Sequence, residues 1–195
     1  MSTSRRFPQA IGAGALALAV LAAGTARADD NMLRGPHPFL KDNELSAHVQ
    51  LVAGGSSTPG GTKLAGDYGY HAYRPLWLNL QLNFQRAACH TPSGAPTCDV
   101  PSGSIFETMV GVKVKVSTPI PLVPYVKGAG GLAFAFPNGS RNGLGLAARG
   151  GMGATYFFFD WLGLGAELDG SIGSLSTADS FYSELDFGGG LEFQF

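Results

Sequence analysis

The sequence predicts an all-β chain, an eight-stranded antiparallel up-and-down transmembrane β-barrel preceded by a cleavable signal peptide. Three observations predict it. Hydrophobicity alternates with a period of two through eight segments, the connections between them are short and long by turns, and the first residues have the layout of an export signal. A period of two sets successive side chains on opposite faces of a strand.

The export signal comes first. Arg5 and Arg6 supply a positive start, residues 11–23 an apolar stretch, and Ala26-Arg27-Ala28 a small-x-small cleavage site. Residues 1–28 are therefore expected to be a signal peptide. Residues 29–43 would be a short periplasmic lead, and residues 44–195 the outer-membrane barrel domain. The apolar stretch falls short of the roughly 20 residues of a membrane-spanning helix, and Asp29-Asp30 follow it directly.

Alternation then marks each strand. Residues 44–54 set Leu45, Ala47, Val49 and Leu51 against Glu44, Ser46, His48 and Gln50. Residues 64–73 set Tyr68 and Tyr70 against Asp67 and His71. The clearest segment is 77–85, with Leu78, Leu80, Leu82 and Phe84 on one face and Asn79, Gln81, Asn83 and Gln85 on the other. Residues 106–116 set Val110, Val112, Val114 and Val116 against Glu107, Lys113 and Lys115. Residues 123–136 place Val126, Leu132, Phe134 and Phe136 opposite Lys127; residues 144–156 place Leu146, Met152 and Tyr156 opposite Arg149. Residues 161–172 place Leu162, Leu164, Leu168 and Ile172 opposite Glu167 and Asp169. The last segment, 181–195, sets Leu185, Phe187, Leu191, Phe193 and Phe195 against Glu184, Asp186, Glu192 and Gln194.

The connections carry an independent pattern. Arg74-Pro75-Leu76 and Phe158-Phe159-Asp160 are tight, and 117–122 is short and proline-bearing. Residues 55–63, 86–103, 137–143 and 173–180 are mostly longer and rich in Gly, Ser, Pro and Asn. Short turns on one side and longer loops on the other are the habit of outer-membrane barrels.

Alternation alone does not say which face is outside, because a soluble β-sandwich or periplasmic barrel puts its apolar face inward. Charge placement and aromatic placement together favour the membrane barrel. A Lys or Arg facing lipid at mid-membrane costs about 2–4 kcal/mol, so charges should share one parity in each strand. Glu107, Lys113 and Lys115 do, as do Glu167 with Asp169, and Glu184, Asp186 and Glu192. The aromatics predict two interfacial girdles. Tyr73, Trp77, Tyr125, Tyr156, Phe157, Trp161, Phe193 and Phe195 stand at the short-turn ends; Tyr68, Phe84, Phe106, Phe134, Phe136 and Phe181 stand at the loop ends.

These features resemble a known family, the small eight-stranded outer-membrane β-barrels typified by the OmpA transmembrane domain and OmpX. The resemblance covers residues 44–195. It rests on Tyr73-Arg74-Pro75-Leu76-Trp77-Leu78 at a first turn, on Pro124-Tyr125-Val126, and on the terminal Leu191-Glu192-Phe193-Gln194-Phe195. It implies residence in the outer membrane, outer-membrane lipid as the surrounding partner, and an extracellular partner for the loops as a possibility. Phe193 and Phe195 would then form the signal read by the barrel-assembly machinery.

Eight strands enclose an interior that side chains just fill, so a wide aqueous pore is not expected. The inward parity assigns an interior charge network to Asp67, Glu107, Lys113, Lys115, Lys127, Arg149, Glu167, Asp169, Glu184, Asp186 and Glu192, with Glu44 near the bottom. One reading is an ion-paired plug, since buried charges persist when paired and hydrogen-bonded. The other is a narrow polarised path for small ions.

Other chemistry is weaker in the sequence. Cys89 and Cys98 enclose eight residues in the longest loop, and in an oxidising compartment they are expected to form a disulfide. A metal site there would want more ligands than the nearby His90, so none is expected. A lipid-modifying enzyme needs a nucleophile near a histidine and a carboxylate. His37, His48, His71 and His90 assemble no triad by spacing, so no catalytic residue and no cofactor are assigned. The clusters Gly150-Gly151-Met152-Gly153 and Gly188-Gly189-Gly190 lack the following helix of a phosphate loop, and a steric role in a curved wall fits them better. With 13 Lys+Arg against 14 Asp+Glu, nothing points to nucleic acid. The function expected is structural or surface interaction; a small-solute channel, a lipid-modifying enzyme and a soluble periplasmic barrel holding an apolar ligand are the alternatives.

Overall fold

In the computed structural model the described residues are 40–54, 60–73, 75–88, 103–137, 142–176 and 180–195. The expected signal peptide, nearly all of the lead, and the Cys89–Cys98 loop lie outside them. Eight strands follow in order: β1 (Asn43–Gly54), β2 (Gly60–Tyr73), β3 (Leu76–Ala88), β4 (Gly103–Lys115), β5 (Leu122–Pro137), β6 (Gly143–Phe159), β7 (Leu162–Leu175) and β8 (Ser180–Gln194). Each pairs antiparallel with the next, and β1 pairs with β8, which closes the barrel. The closing seam is finished at its end by two main-chain bonds, Asn43 N to Phe195 O at 3.1 Å and Phe195 N to Asn43 O at 3.0 Å. Closure leaves no open sheet edge.

The faces are inverted relative to a soluble barrel. Along β7, buried and exposed positions alternate without a break from Gly163 to Leu175. Glu167 and Asp169 are 2% and 0% exposed, while Leu164 and Leu168 on the other parity are 52% and 40% exposed. The same holds in β3, where Asn79, Gln81, Asn83 and Gln85 are buried and Leu78, Leu80, Leu82 and Phe84 face outward. A surface of Leu, Val, Phe and Tyr around a polar interior suits lipid and not water. The soluble barrel with an apolar interior is therefore not the arrangement found.

Three details differ from the sequence reading. β2 begins at Gly60, so Lys63 belongs to the strand and points inward, although residues 55–63 read as a loop. The same extension moves Tyr68 from the loop end into the lower half of β2, where its hydroxyl donates to Asn43 Oδ1 at 2.9 Å. Trp77, Tyr125 and Phe157 do not stand in the short-turn girdle; they share the inward parity of Asn79, Lys127 and Thr155 and are buried inside the barrel. Tyr73, Tyr156, Trp161, Phe193 and Phe195 do face outward. Trp161 stacks between Phe159 at 5.8 Å and Phe193 at 6.2 Å, a band of rings at that rim.

The interior is not charged throughout. Ile105, Met109, Ala133, Ala135, Ala147, Leu175 and Tyr182 form a buried apolar cluster toward the loop end. Inward glycines make the room that large inward side chains need. A Cβ at Gly153 would lie 2.6 Å from Tyr125 Oη, and one at Gly173 would overlap the Tyr182 ring.

Candidate functional site

The chemistry-bearing region is the lumen. Alternation brings every charge predicted to point inward into one buried column, and the column falls into three tiers.

At the short-turn end, the last turns of β4 and β8 meet the start of β1. Lys113 Nζ lies 2.7 Å from Glu44 Oε1, and Lys115 pairs with both Glu44 and Glu192, the latter at 2.6 Å. Glu192 also accepts from Thr155 Oγ1 and Gln194 Nε2, each at 2.9 Å. Trp77 and Tyr125, turned inward, lie beneath these cations: Lys115 Nζ is 4.7 Å from the Trp77 ring and Lys113 Nζ 4.9 Å from the Tyr125 ring. His71 stacks on Trp77 at 4.9 Å, and its Nδ1 lies 3.3 Å from Asp42 Oδ1 at the rim.

The middle tier centres on Lys127 and Glu167. Lys127 Nζ lies 2.6 Å from Glu167 Oε2, 3.3 Å from Asp169 and 3.8 Å from Asp67. Tyr125 Oη donates to Glu167 Oε2 at 3.0 Å, and Gln50 Nε2 donates to Glu167 Oε1 at 2.6 Å. His48 points into the same space, its Nδ1 3.7 Å from Glu167 Oε1.

Toward the loops, Arg149 bridges Asp169 at 2.8 Å and Asp186 at 3.1 Å, and donates to Gln50 Oε1 at 2.6 Å. Lys63 pairs with Asp186 at 2.7 Å and with Glu184. Glu107 is held by hydroxyl and amide donors: Tyr182 Oη at 2.7 Å and Asn83 Nδ2 at 3.2 Å. The buried apolar cluster around Met109 adjoins this tier through the Tyr182–Glu107 bond.

Asp67, Glu107, Lys113, Lys115, Lys127, Arg149, Glu167, Asp169, Glu184, Asp186 and Glu192 are thus all inside, and Glu44 and Lys63 join them. Lys63 has the parity of Asp67, which was the signal available for it. Most pairs join strands that are not neighbours, so they cross the lumen and do not merely decorate the wall. Breaking such a buried pair by removing one member costs about 3–5 kcal/mol. The charges do not balance, however. Among the described residues the lumen buries the eight carboxylates Glu44, Asp67, Glu107, Glu167, Asp169, Glu184, Asp186 and Glu192 against the five cations Lys63, Lys113, Lys115, Lys127 and Arg149.

Phe193 and Phe195 close the outer side of the seam between β8 and β1, with their rings exposed to the lipid side. The Cys89 and Cys98 pair lies outside the described residues.

No protein-family profile matches the chain, and no curated protein sequence matches it. Solved structures do. Neisserial surface protein A is similar at a TM-score of 0.62 and 14% identity, over 80% of this chain and 98% of that one. The N-terminal β-barrel domain of Pseudomonas aeruginosa OprF matches at 0.49 and 18%, over 78% of this chain and 98% of that one. Ail, the attachment invasion locus protein of Yersinia pestis, solved in complex with the heparin analogue sucrose octasulfate, matches at 0.43 and 13%, over 79% and 100%. The likeness to the Neisserial protein is one of fold. This chain has the closed, eight-stranded antiparallel architecture of the small outer-membrane barrels.

Proposed function

We propose that the protein is an integral outer-membrane barrel that serves as a sealed wall element and presents its loops at the cell surface, and that it neither conducts solutes nor catalyses a reaction. The observation that carries this reading is the set of ion pairs spanning the lumen, from Lys113–Glu44 at one end to Lys63–Asp186 at the other. Charges committed to one another at 2.6–2.8 Å have little to offer a passing ion.

The outer face supports the same reading. Outer-membrane lipid is the partner of its Leu, Val and Phe side chains, and Phe193 and Phe195 are the residues the barrel-assembly machinery would engage at the seam. The loops at the opposite end, the longest stiffened by a Cys89–Cys98 disulfide, would meet an extracellular partner.

Planar-bilayer recording of the refolded protein tests the sealed interior. The expected trace has no steps above the lipid baseline. Reproducible cation-selective steps would replace this reading with the narrow ion path, and altered lipid A masses in cells expressing the protein would replace it with the lipid-modifying enzyme.

A further inference from the structure

The middle tier holds three side chains with ligand atoms that the ion-pair network leaves only partly used. His48 on β1, Asp67 on β2 and Glu167 on β7 each offer a ligand atom, and the three atoms lie within 4.8 Å of one another. All three residues are at least nine-tenths buried, at 3%, 2% and 2% exposure. His48 Nδ1 and Asp67 Oδ1 have no hydrogen-bond partner. A buried imidazole nitrogen and a buried carboxylate oxygen left unbonded are each costly, and unsatisfied groups of this kind point to a missing ion or water.

Two further facts favour a cation. Among the described residues the lumen buries three more carboxylates than cations, so positive charge is wanting in a space of low dielectric. Lys127 approaches Glu167 through Oε2, at 2.6 Å, which leaves Oε1 turned toward His48 at 3.7 Å. Lys127 on Oε2 and the Gln50 amide on Oε1, at 2.6 Å, fix the carboxylate's orientation, and Oε1 keeps a second lone pair for an ion, the kind of support that metal-binding carboxylates commonly have.

We propose that His48, Asp67 and Glu167 form a binding site for one divalent transition-metal ion, with zinc as the reference case, bracing β1, β2 and β7 from inside the barrel. One imidazole nitrogen with two carboxylates suits zinc and its first-row neighbours, whereas calcium and magnesium take all-oxygen sets. Around a tetrahedral zinc, donors at about 2.0–2.2 Å stand roughly 3.3–3.6 Å apart, so the 3.7 Å between His48 and Glu167 is nearly correct already. The remaining atom closes in by about an ångström of side-chain movement, and a water completes the four. Because the site sits between two ion-paired tiers, the metal enters as the barrel closes and not afterwards.

The test is to refold the untagged protein into detergent with zinc chloride present, remove free metal by gel filtration, and measure retained zinc by mass spectrometry. About one zinc per barrel is expected. His48→Gln and Asp67→Asn should each lower retention at least tenfold, while His71→Gln at the rim should leave it unchanged. Retention below a tenth of an equivalent, or equal retention in wild type and His48→Gln, overturns the site and assigns His48 to a plain ion pair with Glu167. Should either variant fail to fold, the wild-type protein still decides: zinc during refolding must shift the His48 Nδ1 resonance, and an unshifted resonance overturns the proposal. Neither outcome bears on whether the barrel is sealed, which the bilayer recording reads separately.

Discussion

Lys113 on β4 and Glu44 on β1 meet inside the barrel, Nζ to Oε1 2.7 Å, although neither strand is the other's neighbour in the sheet. Their contact therefore spans the lumen and ties opposite walls together. Glu44 is the ion-pair partner Lys113 has among the described residues, whereas Lys115 keeps Glu192 as well.

Glu44→Gln should accordingly strand a buried lysine. A loss of about 3–5 kcal/mol is expected, read as a lower urea midpoint for unfolding in detergent. The double variant Glu44→Gln with Lys113→Gln should lose clearly less than the two single losses added, because the second change removes the stranded charge. Strict additivity would mean the pair is not coupled.

Lipid exposure makes a depth-dependent prediction. Val110 lies mid-strand in β4 and is 68% exposed on the outer face. Val110→Lys should destabilise the barrel by about 2–4 kcal/mol in lipid vesicles, while Tyr73→Lys, at the short-turn rim, should cost roughly 0–1 kcal/mol. Equal, small effects at both positions would indicate that the outer face is solvated.

The glycines separate by face. Gly173→Ala sets a methyl against the Tyr182 ring and should cost about 1–3 kcal/mol by overpacking. Gly128→Ala, on the outer parity with nothing within 4 Å of the added carbon, should leave the urea midpoint almost unchanged.

Among the described residues the Glu107 carboxylate is held by hydrogen bonds, with no ion pair within 4 Å. Tyr182→Phe removes its 2.7 Å donor and leaves Asn83 at 3.2 Å. A loss of about 1.5–3 kcal/mol is expected from the missing charge-assisted bond. A midpoint equal to wild type would mean that water replaces the phenol without cost.

Much of this was legible because one period governs everything. Residues such as Glu167, Asp169, Leu164 and Leu168 declare the strand and the division of its faces, and the choice between lipid and core for the apolar face was open; shared charge parity supports lipid, and the exposure of Leu164 and Leu168 over buried Glu167 and Asp169 settles it. What escaped the sequence escaped for identifiable reasons. Lys63 sits among glycines and a threonine, too weakly patterned to show that β2 begins at Gly60. Trp77, Tyr125 and Phe157 look like interfacial anchors by type and position, yet their parity is inward, and at a narrow barrel's end an inward ring can cover a paired lysine. The apolar cluster of Ile105, Met109, Leu175 and Tyr182 hides for the opposite reason, being apolar on the polar parity. The convergence of His48, Asp67 and Glu167 depends on which strands lie opposite one another, which no local pattern states.

The central claim is that this chain is a closed barrel embedded in the outer membrane with its apolar face to lipid. Membrane fractionation followed by gel mobility with and without boiling tests it most directly, since a closed barrel resists detergent until heated. The account predicts protein in the outer-membrane fraction and a heat-dependent shift in mobility; a soluble periplasmic protein with one mobility in both lanes would contradict it.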